Sequence, residues 1–205
     1  MLSSVVLAAG EATRFGGTKQ VHELAGKPLV QHAVDAAAGA GLDEVVVVVG
    51  HDADRVRAAL RLPPSGRVVE NPRYAEGLST SLAAGLGACD PASEGAVVLL
   101  ADQPGIEARH VRLLADAFRR TGAWVVRLRF RDGPGPALLS RAAWGEARGL
   151  SGDVGARALV ARHPDRVVEV AVDEPAPPDF DRPEDLARAA GARGRDLPRG
   201  AGTDG

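Results

Sequence analysis

Five consecutive valines, Val45 to Val49, constrain the fold of this chain more than any other segment. β-Branched side chains favour extended backbone. An apolar run with no polar alternation, bounded here by Asp43 and Gly50, predicts a strand that is buried on both faces. Such a strand needs a layer of helices on each side. The run therefore predicts an α/β fold with three layers, in which a Rossmann-like, mostly parallel sheet carries helices on both faces.

Alternating strand and helix patterns extend this architecture along the chain. Besides the valine strand at 43–50, strands are predicted at 5–9, 67–71, 96–101, 124–130, 137–140 and 167–172. Helices are predicted at 28–40, 52–60, 79–86, 108–120 and 154–162, and a last one starts at Pro183. Asp153 is expected to cap the helix at 154–162, and the Gly-Pro-Gly-Pro segment at 133–136 is expected to break the chain. In such sheets ligands bind at the carboxyl ends of the strands.

Length and composition limit the possible classes. A chain of 205 residues predicts one domain, here residues 1–190, and the Gly/Arg/Pro/Asp-rich residues 191–205 are expected to form a disordered tail. The net charge of −2 argues against nucleic-acid binding. A single cysteine excludes an intramolecular disulfide, and the five histidines show no zinc-site spacing. Without a signal peptide or a run of membrane-spanning length, the expected location is the cytoplasm.

The loop from Leu7 to Lys19 carries the strongest functional signal. Gly10, Gly16 and Gly17 let backbone N–H groups approach an anion, and Arg14 and Lys19 add two cations, which together suit a triphosphate. A flexible turn with solvated charges is the alternative interpretation. The order of residues excludes a Walker A loop, and the absence of a second glycine two positions after Gly10 excludes a dinucleotide fingerprint.

The pattern L-A-A-G-x-x-x-R-x-G-x-x-K in this loop resembles the signature of the MobA-like NTP transferases. The chain is most similar to the MocA-type molybdenum cofactor cytidylyltransferases. The resemblance covers about residues 3–190 and implies a fold like that of the nucleotide-diphospho-sugar transferases. Further matches follow in the expected order at 26–29, 71–77, 81–86, 101–104 and 179–186.

The resemblance implies a role for each matching position. Residues from Leu7 through Ala8 and Ala9 to Gly10 would line the nucleotide, and Arg14 and Lys19 would hold the triphosphate. Further implied nucleotide contacts, to ribose and base, are Asn71, Gly77 and Ser81. Asp102, with Arg14 and Lys19, would belong to the catalytic set, and Asp102 and Asp181 would bind Mg²⁺.

The chemistry of the two aspartates supports a magnesium site independently. Mg²⁺ prefers oxygen ligands and binds through one or two carboxylates plus substrate phosphate. Asp102 directly follows a predicted buried strand, at the end where ligands bind. As alternatives, Asp102 or Asp181 could cap a helix, and Asp179 is a rival for the second ligand position.

The implied reaction moves CMP from CTP to the phosphate of a molybdopterin-type acceptor and releases pyrophosphate. A molybdoenzyme that receives the product is a possible partner. Ala9 and Gln103 match the cytidylyl branch, whereas the G-H-P turn of that branch lacks its histidine here, at 133–136, which leaves the acceptor open. The alternatives are a sister transferase using GTP or another phosphorylated acceptor, and a catalytically silent nucleotide-binding module or molybdoenzyme chaperone.

Overall fold

The computed structural model describes residues 1–12, 15–180 and 184–185. Four predictions fall outside these residues. They are the placements of Arg14 and Asp181, the start of a last helix at Pro183, and the tail at 191–205.

The described chain alternates strands and helices, much as its hydrophobic pattern predicts. The strands are β1 (Leu2–Ala8), β2 (Glu23–Leu24), β3 (Lys27–Pro28), β4 (Glu44–Val49), β5 (Gly66–Glu70), β6 (Gly95–Leu100), β7 (Val125–Phe130), β8 (Pro134–Ser140) and β9 (Val167–Val172). The α-helices are α1 (Leu29–Gly39), α2 (Ala53–Ala59), α3 (Leu78–Ala88), α4 (Ala108–Thr121), α5 (Trp144–Arg148) and α6 (Ala156–Arg162). Short 3₁₀ turns lie at Lys19–Val21, Tyr74–Glu76, Arg141–Ala143 and Pro164–Arg166.

Within the described residues, seven strands form one sheet in the order β5-β4-β1-β6-β8-β7-β9. β1 lies between β4 and β6 and pairs in parallel with both, and β4–β5 and β7–β9 are also parallel. Only β8 runs against its neighbours, β6 and β7. The expected mostly parallel α/β fold of the nucleotide-diphospho-sugar transferase type is confirmed.

The alternation of side chains along the strands builds a core on each face of the sheet. In β4, Val45, Val47 and Val49 belong to the core cluster on the face covered by α1, α2 and α4, whereas Val46 and Val48 belong to the cluster on the face covered by α3, α5 and α6. All five valines are fully buried, as a central strand covered on both faces requires. No helix in the described part of the chain is long and apolar enough to cross a membrane.

The expected chain break at 133–136 is wrong. β8 already starts at Pro134, directly after the turn in which the Phe130 N–H donates to the Gly133 carbonyl. Proline is tolerated at the first position of a strand and at irregular pairing, and the β7–β8 register shifts between Arg127 and Arg129.

The expected helix cap at Asp153 is also wrong. α6 begins at Ala156, three residues later, and its N-cap residue Gly155 has no side chain to offer. The preceding turn is closed by backbone instead, with the Val154 N–H donating to the Gly152 carbonyl at 2.9 Å. Asp153 therefore does not cap the helix, and it lies in the wall of the cleft described next.

Candidate active site

A cleft of about 490 Å³ opens at the carboxyl ends of β1 and β6. Because these strands are parallel neighbours, the residues that follow them meet at the same edge of the sheet. Gly10 follows β1 and Asp102 follows β6. The turn before α3 and the turn before α6 form the remaining wall, through Gly77 and Asp153.

Inside the cleft, an ion pair joins the 3₁₀ turn at Lys19–Val21 to the turn that follows β6. The Nζ of Lys19 lies 2.9 Å from Oδ2 of Asp102, and the exposed fractions of the two side chains are 10% and 29%. Burial of this kind strengthens the attraction between the charges relative to a surface pair. The cleft thus presents a cation suited to phosphate beside a carboxylate suited to a metal ion.

The turn after β1 is fixed by its neighbours. The side-chain N–H of Gln20 donates to the Gly10 carbonyl at 2.8 Å. The His51 N–H, which follows β4, donates to the Ala9 carbonyl at 3.1 Å. Gly10, Glu11 and Ala12 line the cleft. Successive backbone N–H groups in a turn of this kind can bind an anion.

Asn71 supports one wall of the cleft from behind. Its buried amide donates to Ser81 Oγ at 3.0 Å and to Thr80 Oγ1 at 2.9 Å, and its Oδ1 accepts from the Arg73 N–H at 3.0 Å. Ser81 lines the cleft, whereas Asn71 does not. Asn71 therefore orients the first turn of α3 rather than facing the open space.

Gly77 allows two walls of the cleft to meet. Its φ is +113°, and a Cβ at this position would lie 2.4 Å from the carbonyl carbon of Gly152. The Ser79 N–H then donates to the Gly152 carbonyl at 3.2 Å. Any side chain at position 77 would both strain the backbone and push the Gly152–Asp153 turn away.

The segment before Asp181 lies beside Asp102. The Phe180 N–H donates to the Asp102 carbonyl at 3.1 Å, and the Phe180 ring is buried with Leu24 and Leu29. One residue earlier, Asp179 accepts a hydrogen bond from Gln103 Nε2 at 2.7 Å.

The structure brings most of the predicted site residues together. Those that line the cleft are Leu7, Ala9, Gly10, Lys19, Gly77, Ser81 and Asp102. Ala8 and Asn71 are buried behind its wall, at 1% and 3% exposure, and Arg14 and Asp181 fall outside the described residues. The roles assigned to these residues stay predictions.

Nine residues of the cleft wall were not among the predicted site residues, and one of them, Asp153, was assigned to a helix cap. The nine are Glu11, Ala12, Gln20, Tyr74, Ala75, Leu78, Leu100, Ala101 and Asp153. Gln20 gave no signal, because its partner is a backbone carbonyl that no side-chain pattern reveals. Asp153 lies in a G-D-x-G-A-R stretch that pointed to the right segment.

Comparisons with known proteins agree with this geometry. Residues 4–167 match the family described as the MobA-like NTP transferase domain. The structure of Rv0371c from Mycobacterium tuberculosis superposes with a TM-score of 0.81 at 33% identity, covering 93% of this chain and 97% of that one. A structure of Rv0371c in complex with manganese gives a TM-score of 0.78 at 32% identity, covering 93% and 98%.

The similarity to a curated relative covers only part of each protein. The bifunctional protein GlmU of Sorangium cellulosum is 36% identical over 127 residues, which are 59% of this chain and 27% of that protein. The chain thus spans about a quarter of that relative's length, and the similarity is confined to one region of it.

Proposed function

This chain belongs to the MobA-like NTP transferase domain family, and on that premise we propose that it moves CMP from CTP onto the phosphate of a molybdopterin-type acceptor. Pyrophosphate is the second product. The observation that carries the proposal is the convergence of Lys19, Asp102 and the Gly10 turn in one cleft. A triphosphate needs such a combination of a fixed cation and backbone N–H donors.

In the proposed reaction an acceptor phosphate oxygen attacks the α-phosphorus in line, and the bond to the β-phosphate oxygen breaks. The acceptor phosphate is already anionic at neutral pH, so the step needs no strong general base. Lys19 stabilises the charge that develops on the phosphoryl oxygens, and the Gly10 turn holds the triphosphate in position. Catalysis then rests mainly on orientation and electrostatics.

Divalent metal use is part of the proposal. The carboxylate of Asp102 is a hard oxygen donor in the cleft, and Mg²⁺ binds through one or two carboxylates plus substrate phosphates. Within the described residues, no group of three or more His, Cys, Asp or Glu side chains could hold a metal ion. The manganese complex of Rv0371c supports a divalent ion, which would neutralise charge on the triphosphate.

We propose Asp181 as the second metal ligand. Asp179, its rival, is engaged by the Gln103 amide at 2.7 Å. The hydrogen bond from Phe180 N–H to the Asp102 carbonyl holds the preceding residue beside the first ligand. Asp181 is the next residue in the sequence.

A preference for CTP is supported by Ala9. Ala9 is 3% exposed and is one of the residues that line the cleft. Its methyl group lies near Gly50, where an added Cβ would come within 2.9 Å of it. We propose that this methyl group takes room that a purine would need.

Two further points complete the proposal. The protein would act in the cytoplasm, and a molybdoenzyme would accept its product.

Calorimetric titration of CTP, GTP and ATP with Mg²⁺ into the wild type and Asp102→Asn tests the nucleotide half of the proposal. We expect CTP to bind most tightly and the variant to bind it at least roughly tenfold more weakly, since a charged metal ligand is lost. Pyrophosphate release from CTP with molybdopterin then tests the acceptor. Preference for GTP would favour a sister transferase, and no metal-dependent NTP binding would favour a silent module.

A further inference from the structure

One buried side chain connects the two ends of the loop that carries the Gly10 turn. Gln20 lies in the 3₁₀ turn Lys19–Val21, ten positions after Gly10, and its Nε2 donates to the Gly10 carbonyl at 2.8 Å. Gln20 is only 5% exposed. The hydrogen bond thus joins the start of the loop to its end, next to Lys19.

The same loop is tied at both ends to residues that follow β4. The buried hydroxyl of Thr18 donates to the carboxylate of Asp52, and the His51 N–H donates to the Ala9 carbonyl at 3.1 Å. Neither His51 nor Asp52 lines the cleft. The connection after β4 therefore acts as a rigid support for a loop whose other side faces the ligand space.

One backbone position of the loop is strained and needs this support. Ala12 has a φ of +48°, a left-handed conformation that alanine adopts at an energetic cost. Such conformations persist only when surrounding contacts determine them. At Ala12 itself, the carbonyl accepts from the Phe15 N–H at 2.8 Å, and the hydrogen bonds of Gln20 and Thr18 hold other positions of the same loop.

The choice of glutamine at position 20 has a cost of its own. The Oε1 atom is buried and has no hydrogen-bond partner among the described residues, which is unfavourable for a polar atom. An unbranched apolar side chain of similar length would avoid that cost. What glutamine adds over such a side chain is the Nε2 donor that reaches Gly10.

The Gly10 peptide is oriented by this donor. A trans peptide is planar, with its carbonyl and N–H pointing in opposite directions. Holding the Gly10 carbonyl therefore also fixes the direction of the Glu11 N–H, in a loop segment that lines the cleft.

We infer that Gln20 is a positioning residue that aligns the loop N–H groups for the phosphates before a nucleotide enters. The inference rests on the proposed NTP-binding function and adds to it the residue that preorganises the loop. Preorganisation raises affinity by removing the cost of ordering the loop on binding. Because the loop contacts phosphates, the effect of Gln20 should grow with the number of phosphates on the ligand.

Titrating CMP, CDP and CTP with Mg²⁺ into the wild type and Gln20→Met tests the inference. We expect the variant to bind CTP roughly tenfold more weakly or worse, CDP with an intermediate loss, and CMP nearly as the wild type. We also expect its melting temperature to be unchanged or higher, because the Oε1 atom is removed while Gly10 is an exposed residue whose carbonyl can then bind water. The side chain of Gln20→Asn is too short for its amide to reach Gly10, so this variant should show the same pattern of losses in CTP, CDP and CMP affinity.

Gln31→Met is the matched control. Gln31 is likewise buried, but its amide donates to Asp35 and to the Arg61 carbonyl and accepts from the Arg61 N–H, all away from the cleft. This variant should lose melting temperature and keep wild-type CTP affinity. Unchanged CTP affinity in both Gln20 variants, or an equal loss for CMP and CTP, would overturn the inference while leaving the proposed function intact. A wild type that binds no NTP would overturn the proposed function and the inference with it.

Discussion

The ammonium group of Lys19 lies 2.9 Å from the carboxylate of Asp102, although 83 positions separate the two residues. The pairing follows from the sheet order, because β1 and β6 are parallel neighbours whose carboxyl ends lie side by side. Each charge partly neutralises the other in the absence of ligand. On the proposed function, a triphosphate would attract Lys19 and a metal ion would attract Asp102, so binding of either ligand would weaken the ion pair.

Replacing Lys19 should abolish most activity. We expect Lys19→Ala to lower kcat by roughly 10²-fold or more, because the variant removes a fixed charge at the site of transition-state charge development. Pyrophosphate release with CTP, Mg²⁺ and acceptor measures it. Lys27→Ala is the control, since Lys27 pairs with Asp35 at the surface and is absent from the cleft wall. Near-wild-type turnover of Lys19→Ala would contradict the proposed role.

Removing the Ala9 methyl group should change nucleotide preference. We expect Ala9→Gly to shift the ratio of GTP to CTP affinity by roughly tenfold towards GTP, which is the usual effect of one methyl group in a pocket. Competition calorimetry measures the ratio. Ala8→Gly is the control, because the neighbouring side chain packs on the opposite face of the sheet. A ratio that is the same in Ala9→Gly and wild type would remove the methyl group as the source of specificity.

The elements that the sequence predicted well are those that a local pattern determines. Val45 to Val49 could form little else than a central strand, and Asp102 was placed correctly because the strand before it ends there. The carboxyl-end rule then located the cleft without knowledge of any long-range contact.

The failures have a different physical origin. Pro134 starts β8 because β7 is folded back beside it, and this tertiary pairing overrides the chain-breaking tendency of proline. The contact of Gly77 with Gly152 and the hydrogen bond of Gln20 to a backbone carbonyl join distant segments through atoms common to every residue. The pattern of side chains in a sequence does not predict such contacts.

Two glycines of α3 should respond in opposite ways to the same substitution. A Cβ on Gly85 would lie 2.3 Å from Val5 Cγ1 and 2.9 Å from Val48 Cγ2, whereas a Cβ on Gly87 would meet nothing within 4 Å. We expect Gly85→Ala to destabilise the fold by about 1–3 kcal/mol through overpacking. Gly87→Ala should stabilise it by about 0.5–1 kcal/mol through the lower backbone entropy of the unfolded chain.

Urea unfolding of the two variants measures both effects. Since both substitutions lie in one helix and make the same chemical change, the difference between them isolates the space available at each position. Equal free energies of unfolding for the two variants would contradict the close packing of α3 on β1 and β4.

The buried thiol of Cys89 should make stability depend on pH in the alkaline range. Burial raises the pKa of this thiol from 9.0 to about 11, and its Sγ–H donates to the Gly85 carbonyl at 3.3 Å. Below pH 9 the thiol is protonated in both the folded and the unfolded chain, so its contribution is constant. Between pH 9 and about 11 only the unfolded chain loses the proton, which favours unfolding.

We therefore expect the free energy of unfolding of the wild type to fall relative to that of Cys89→Ala as the pH rises from 8 to about 10.5, since the other titrating groups are common to both proteins. Urea unfolding at several pH values measures this difference. Alkylation gives a second readout, because Cys89 is the chain's single cysteine and only the thiolate reacts. At pH 9 the folded protein should react far more slowly than the urea-unfolded chain. Equal rates in the two states would show that the thiol is neither buried nor raised in pKa.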